Sequence, residues 1–243
     1  MKFIINGALG RMGRAVEKAL TDQGQEFIKV DINYAQGEGY THISQVKEKV
    51  DGIIDFSFHT ATPELLDYAV KTNTPIVECS TGHTEEEKQL ILNASKSVAV
   101  FYSGNMSLGI AVLSDLVKKA VRVMGTAEVE IIEIHHDKKV DAPSGTALML
   151  YDAVKEERAN ANMVVGRNGY SLRGENEVGI SSVRLSNVVG IHEVLISDGT
   201  QTITLKHEAH DRSLFALGAV DAAKYLAGKG AGLYDMKKML GEL

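Results

Sequence analysis

Residues 2–13 read KFIINGALGRMG, and this stretch decides the fold class. KFIIN is a buried-strand segment. Gly7, Gly10 and Gly13 follow at three-residue spacing, and the chain passes at once into a helix-period segment from Gly10 to Gln23, stopped by Gly24. A strand that turns through glycines straight into a helix start gathers the backbone N–H groups of Gly7, Ala8, Leu9, Gly10, Arg11, Met12 and Gly13. Those donors can approach a pyrophosphate, and the helix N-terminus stabilises its negative charge. GxxGxxG is a variant of the dinucleotide fingerprint, and context gives it weight. The next strand, FIKVDI, ends near Asp31, roughly 20 residues on, where a carboxylate would bind ribose hydroxyls.

Working outward, VDGIIDFSF, PIVECS and VAVFYS read as further buried strands, separated by helical stretches at 60–71 and 84–97. Strand–helix alternation at this spacing predicts βαβ units and a parallel sheet. Two of these strands end in small or amide residues, Cys79-Ser80-Thr81-Gly82 and Ser103-Gly104-Asn105-Met106. Open α/β sheets bind ligands at such carboxyl ends. The pattern changes after a long amphipathic helix that starts at Gly109. EVEIIEIHH, GISSVRL, HEVLISD and QTITLKHEAH are strand-like, Asp198-Gly199 marks a hairpin, and a helix over 144–158 interrupts them. The expectation is α/β: a Rossmann-like doubly wound domain over 1–106, and an α+β domain over 107–212 with an open, mixed and more antiparallel sheet. A closing helix over 213–243 packs back on the first domain.

The composition sets outer bounds. Of 243 residues, 44% are hydrophobic, enough for one large or two modest cores. A net charge of -6 argues against nucleic-acid binding, which needs a basic patch. The lone cysteine cannot form an intrachain disulfide and fits a reducing compartment. No run approaches the roughly 20 apolar residues of a membrane helix, and Phe3-Ile4-Ile5 is too short for a signal-peptide core. The chain is expected to be soluble and cytoplasmic, with no membrane partner.

Residues 130–147, EIIEIHHDKKVDAPSGTA, carry the densest chemistry. On a strand, His135 shares a face with Glu133 and Ile131, and His136 takes the other. Adjacent histidines lack ligand spacing and a third donor, so no metal site is expected. Pro143-Ser144-Gly145-Thr146-Ala147 reads as a helix start whose N–H groups bind an anion such as a carboxylate. Lys139 adds a mobile cation, and a histidine adds a proton donor near neutral pH. Together they outline a pocket for a small polycarboxylate that must be protonated. Beside a dinucleotide domain, that predicts hydride transfer to a conjugated or imine substrate.

That stretch resembles, position by position, the signature of the 4-hydroxy-tetrahydrodipicolinate reductases of the diaminopimelate–lysine pathway. The resemblance rests on Glu130, Glu133, His135, Lys139, Asp141 and Pro143 to Ala147, and Gly7 to Gly13 resembles the family's GAxGRMG loop. It implies an NADH- or NADPH-dependent enzyme acting on a small dicarboxylate and assembled as a homotetramer through the second domain's sheet. His135 would be the proton donor and Lys139 its essential partner. His136 with the Gly145 and Thr146 amides would hold substrate carboxylates. Cys79, Ser80 and Thr81, with Ser103, Gly104, Asn105 and Met106, would lie along the nicotinamide half of the cofactor. The sequence departs from the family where GTT or ATT becomes Cys79-Ser80-Thr81, and where R-G-G-x-x-V-G-E-H becomes Arg184-Leu-Ser-Asn-Val-Val-Gly-Ile-His192. Two rivals compete: another Rossmann reductase of carboxylates, such as an aldehyde dehydrogenase with a catalytic cysteine, and a nucleotide sensor without catalysis.

Overall fold

The computed structural model describes residues 1–35 and 37–241. In chain order the first elements are β1 (Lys2–Asn6), α1 (Arg11–Asp22), β2 (Glu26–Val30), β3 (Gly52–Asp55), α2 (Thr62–Thr72), β4 (Ile76–Glu78), α3 (Glu85–Ala94) and β5 (Ala99–Tyr102). There follow α4 (Leu108–Met124), β6 (Glu128–His135), α5 (Gly145–Glu157), β7 (Asn162–Val165), β8 (Glu177–Arg184), β9 (Gly190–Ser197) and β10 (Thr202–Ala209). The chain closes with α6 (Ser213–Leu226), β11 (Gly232–Tyr234) and α7 (Met236–Gly241). Two compact units result, Met1–Ser107 with the chain from Arg212 onward, and Leu108–Asp211.

The first unit holds an all-parallel sheet in the order β11-β5-β4-β3-β1-β2. Alternation along each strand builds two apolar faces. Ile4, Ile53, Ile76 and Val100 pack with Leu65, Leu66, Ala69 and Ile91 of α2 and α3. Phe3, Ile5, Ile54, Val77 and Phe101 are buried on the other face, where α1 and α6 lie. Local signals start and stop these helices. Pro63 sits in the first turn of α2, and Asn73 ends it in the left-handed region at φ 50°. A Thr84–Glu87 capping box opens α3. The chain leaves β1 to one side for β2 and to the other for β3, so the carboxyl ends of β1 and β3 bound the switch-point crevice.

The second unit stacks α4 and α5 on one face of a sheet ordered β10-β9-β6-β8-β7. Val129, Ile131, Val178, Ile180, Val194 and Ile196 form the covered face. The opposite face leaves Val183 about 40% exposed.

The second sheet is mixed and more antiparallel than the first, as expected: β10–β9 and β9–β6 are antiparallel, and β6–β8 and β8–β7 are parallel. The crossover through α5 returns the chain in the direction of β6, at a short edge strand, NMVV, that shows no apolar alternation. The closing segment is not one helix. It ends at Leu226, Gly228 takes φ 79°, and the chain then adds β11 beside β5 before α7; Glu242 and Leu243 of the expected helix lie outside the described residues. Finally, FIKVDI and EVEIIEIHH each stop early, at Val30 and His135, so Asp31 and His136 stand just beyond their strands.

Candidate active site

Along β6 the side chains facing the helices run Val129, Ile131, Glu133, His135. The apolar stripe turns ionic at the strand's carboxyl end, beside the start of α5. Glu133 is fully buried and is the hub of the region. Arg184 grips it with both terminal nitrogens, at 3.0 and 2.9 Å. The Ser144 amide donates to its Oε1 at 3.2 Å, and its Oε2 meets His135 Nδ1 at 2.5 Å. Burial pushes the Glu133 pKa up, but Arg184 and His135 outweigh it and leave the group at about 2. An ionised Glu133 therefore fixes His135 with a proton on Nδ1, which leaves Nε2 as the ring nitrogen not engaged by Glu133.

The pKa of His135 is lowered, by burial first. Glu133 opposes the shift, while Lys139 and Arg184 add to it. Gly190 of β9 lies against the ring, and an added Cβ there would come within 3.1 Å of Nε2.

The loop after β6 is tied down by the same arginine. Arg184 donates to the carbonyls of Lys139 at 3.3 Å and Asp141 at 2.6 Å. Lys139 pairs with Asp141 at 2.8 Å. His136 is partly exposed, and its carbonyl accepts from Lys139 N at 3.2 Å. Ser144 caps α5 by accepting from Ala147 N at 3.2 Å, and His192 Nε2 stands 3.1 Å from the same hydroxyl. Burial, then His135, pushes His192 down to about 3, so it is neutral and structural. Gly145 is exposed, and a Cβ placed on it would meet nothing within 4 Å, so the helix start faces open space where an anion can sit. Thr146 follows, partly buried. His135, Lys139, Gly145 and Thr146 thus converge on one region. Arg184 and His192, which do as much to hold it, are the first and last residues of the departing R-G-G-x-x-V-G-E-H turn, where the sequence assigned them no role. Their roles become visible only once strand register sets Arg184 opposite His135 and His192 opposite Glu133.

In the first unit the glycine loop fits a nucleotide's phosphates. Gly7 adopts φ 76° with its Cβ position 2.7 Å from the Phe56 carbonyl, and a side chain at Gly13 would strike the Gly7 carbonyl oxygen. The loop is packed as close as backbone allows, and Gly10 enters α1 with no side chain capping it. Ala8 is buried, Leu9 and Arg11 are exposed, and Met12 is between. Asp31 is buried against this loop. Leu9 N donates to it at 2.9 Å, and the backbone and side-chain nitrogens of Asn33 donate at 3.0 Å each. Asp31 thus orders the glycine loop, a role its sequence position alone does not show.

The other two loops follow β4 and β5. Cys79 is buried with Sγ 3.9 Å from the Val77 carbonyl, and burial pushes its thiol pKa well up, so it is not an exposed nucleophile. Ser80 is buried and Thr81 exposed. Ser103 Oγ donates to the Asn105 carbonyl at 2.9 Å, and Asn105 Oδ1 accepts from Ser107 N at 2.8 Å, which shapes the turn through Gly104 and buried Met106.

Comparison with known proteins covers the whole chain. Residues 1–106 match the family model for the N-terminus of dihydrodipicolinate reductase, and residues 109–240 that for its C-terminus. A 4-hydroxy-tetrahydrodipicolinate reductase from Caldanaerobacter subterraneus is 41% identical, spanning 99% of this chain and 98% of its own. Its counterpart from Clostridium novyi is 37% identical over 98% of each chain. Among solved structures, a dipicolinate-bound dihydrodipicolinate reductase from Paenisporosarcina sp. TG-14 shares the fold, with a TM-score of 0.80 at 21% identity over 97% of both chains.

Proposed function

The chain belongs to the dihydrodipicolinate reductase family and is an oxidoreductase, and from that premise we propose that it reduces 4-hydroxy-tetrahydrodipicolinate to tetrahydrodipicolinate with His135 as the proton donor. The observation that carries this reading is the Glu133–His135 pair buried beside the open start of α5. In it an imidazole is oriented by a carboxylate, and one nitrogen is left to act next to a site for substrate carboxylates.

When bound, NADH or NADPH would supply a hydride to ring C4 of the conjugated imine left once the substrate's 4-hydroxyl has departed as water. The glycine loop from Gly7 to Gly13 would hold its pyrophosphate and Asp31 its adenosine ribose. Cys79 to Thr81 and Ser103 to Met106 would flank the nicotinamide half. On the substrate side, Lys139, His136 and the α5 start at Gly145 and Thr146 would hold the two carboxylates. The carbon that gains negative character after hydride addition takes the proton from His135 Nε2. Unit 1 would thus be the nucleotide domain and unit 2 the substrate and oligomerisation domain, its half-exposed sheet face suiting a homotetramer.

The deciding assay follows NADH and NADPH oxidation in the presence of freshly made 4-hydroxy-tetrahydrodipicolinate. Both nucleotides are expected to work, with NADH equal or moderately better, because no cation follows Asp31 at Ile32-Asn33 to neutralise a 2′-phosphate. Asp31→Ala should weaken both nucleotides by loosening the glycine loop, yet shift the kcat/KM ratio toward NADPH by several-fold, under about tenfold. A strong preference for NADPH that survives Asp31→Ala would show that Asp31 does not read the ribose.

The lowered pKa of His135 makes a second expectation. In the free enzyme its acid form is lost as pH rises through a value below the ordinary 6.5, so kcat/KM should fall over that range. A bound dicarboxylate favours the imidazolium, so the limb in kcat should lie at higher pH. Coincident limbs in the two profiles would argue that substrate charge does not act on His135.

A further inference from the structure

Asp55 and Glu78 end adjacent parallel strands, β3 and β4, as direct register partners. Both are completely buried. Each carboxyl has one oxygen crowded with donors. Asp55 Oδ1 accepts from Asn6 Nδ2 at 2.6 Å, Ser57 Oγ at 2.7 Å and Ser57 N at 3.2 Å. Glu78 Oε1 accepts from Ser80 Oγ at 2.5 Å and Ser80 N at 3.2 Å. The second oxygen of each, Asp55 Oδ2 and Glu78 Oε2, is buried with no donor among the described residues. Two bare carboxylate oxygens from neighbouring strands are untenable without a proton between them.

From this geometry we infer that Asp55 and Glu78 share one proton, and that the pair is a positioning device for the nucleotide site, clamping the loops that leave β3 and β4 through Ser57 and Ser80. The inference rests on reading the first unit as the nucleotide domain. The raised pKa of Glu78, caused by burial and then by Asp55, agrees with it. The pair lies at the carboxyl edge of the sheet, with Asn6 tying it to the end of β1 at the switch point. Its outer oxygens hold both the amide and the hydroxyl of the second residue into each loop, so the loops start in a fixed direction. Loss of the proton would set two buried negative charges against each other and release that hold.

Other titratable groups surround the pair. Tyr102 of β5 is the register partner of Glu78, and its OH lies 3.5 Å from His83 Nδ1. His83 Nε2 lies 3.8 Å from Glu78, 3.3 Å from Ser80 Oγ and 2.9 Å from Thr62 Oγ1. Burial keeps His83 below its ordinary pKa, so it cannot neutralise the pair near pH 7. The buried Cys79 thiol adjoins Glu78, while His59, Glu87 and Lys88 act on His83 from beyond. The buried positions of α6, such as Ala216, Ala219, Val220 and Ala223, bring no charge. Burial raises the pKa of Tyr102 and that of Cys79, so an amide substitution in the pair separates its alkaline transition from theirs.

The test uses Glu78→Gln and its mirror, Asp55→Asn. In either variant an amide N–H replaces the shared proton, so the pair has no proton to lose as pH rises. Three readouts on the full chain are informative. The infrared carbonyl band of a protonated buried carboxyl should be present in the parent at neutral pH and missing in both variants. NADH affinity, followed by nucleotide fluorescence, should weaken several-fold for the parent at alkaline pH and stay nearly level in the variants. Thermal stability should also diverge. The unfolded parent releases its Glu78 proton above about pH 4.5 while the folded pair retains it, so the parent loses stability as pH rises from there and the Glu78→Gln variant does not. The Tm gap should therefore widen with pH. A band that persists in a folded variant, or an alkaline loss of NADH affinity unchanged by both substitutions, overturns the inference. A parent that binds neither NADH nor NADPH at any pH instead overturns the nucleotide reading, and with it the pair's control of affinity, while the infrared band still decides whether the proton is shared.

Discussion

Replacing His135 with glutamine is expected to lower kcat by about 100-fold or more while changing substrate affinity little. Glutamine can keep a hydrogen bond to Glu133, so the buried carboxylate retains a partner and the strand end keeps its shape. What it cannot do is carry a transferable proton where Nε2 stands. In the proposed mechanism the step affected is protonation of the ring carbon next to the one that takes the hydride, so the loss should fall on turnover. Dipicolinate, a planar dicarboxylate, should still inhibit the variant competitively at a concentration close to that for the parent. Steady-state kinetics with inhibitor titration checks both halves. Equal kcat in variant and parent would remove His135 from the proton-donor role. A parental kcat with a large rise in KM would make it a binding group.

The second large effect is on stability. Arg184→Met should destabilise the protein by about 3 kcal/mol, because it strips the compensating charge from a fully buried Glu133. That corresponds to a fall in Tm of roughly 6–12 °C. The arginine also holds the carbonyls of Lys139 and Asp141, so catalysis should fall even where the variant stays folded. Adding Glu133→Gln should recover much of the stability, since no buried charge is left unpaired, and should recover no activity, since His135 then loses its orienting carboxylate. Differential scanning calorimetry of the two single variants and the double variant gives the coupling. Additive losses would mean that the pair is not the unit holding the strand end together. The acid side has a definite sign. Glu133 titrates at about 2 in the folded protein against an ordinary 4.5, so its stabilisation is complete above pH 4.5 and lost as pH falls toward 2.

These residues also mark how far the sequence could be read. KFIINGALGRMG declared the parallel sheet because its signals are local: a strand, glycines and a helix start within a dozen residues. HHDKKVDAPSGTA marked the cluster around His135 and the start of α5 for the same reason. Arg184 and His192 stood at the two ends of a family turn, but their roles stayed hidden because they depend on which strands become neighbours, and register is a long-range property that no short window encodes. Glu78 read only as part of a buried strand, and its meaning emerged when Asp55 was found opposite it. β7 and β11 escaped because three- and four-residue edge strands without alternation carry little signal of their own. The closing segment misled in the opposite way: its helical period ends at Leu226, and the expected helix ran on through Gly228, Gly230 and Gly232, which break it.

The return of the chain to its first sheet has a consequence for biosynthesis. Residues 1–107 leave the ribosome with β5 as an unpaired edge and with Ile54, Val77 and Phe101 lacking the cover of α6. That cover arrives only after Leu108–Asp211 has been made, and this later segment is contiguous and owns a complete core. Vectorial synthesis therefore presents the second-made unit with everything it needs before the first-made unit can close. The nascent sheet must wait through about a hundred codons with an apolar face and a strand edge open, the interval in which a holding chaperone has something to grip.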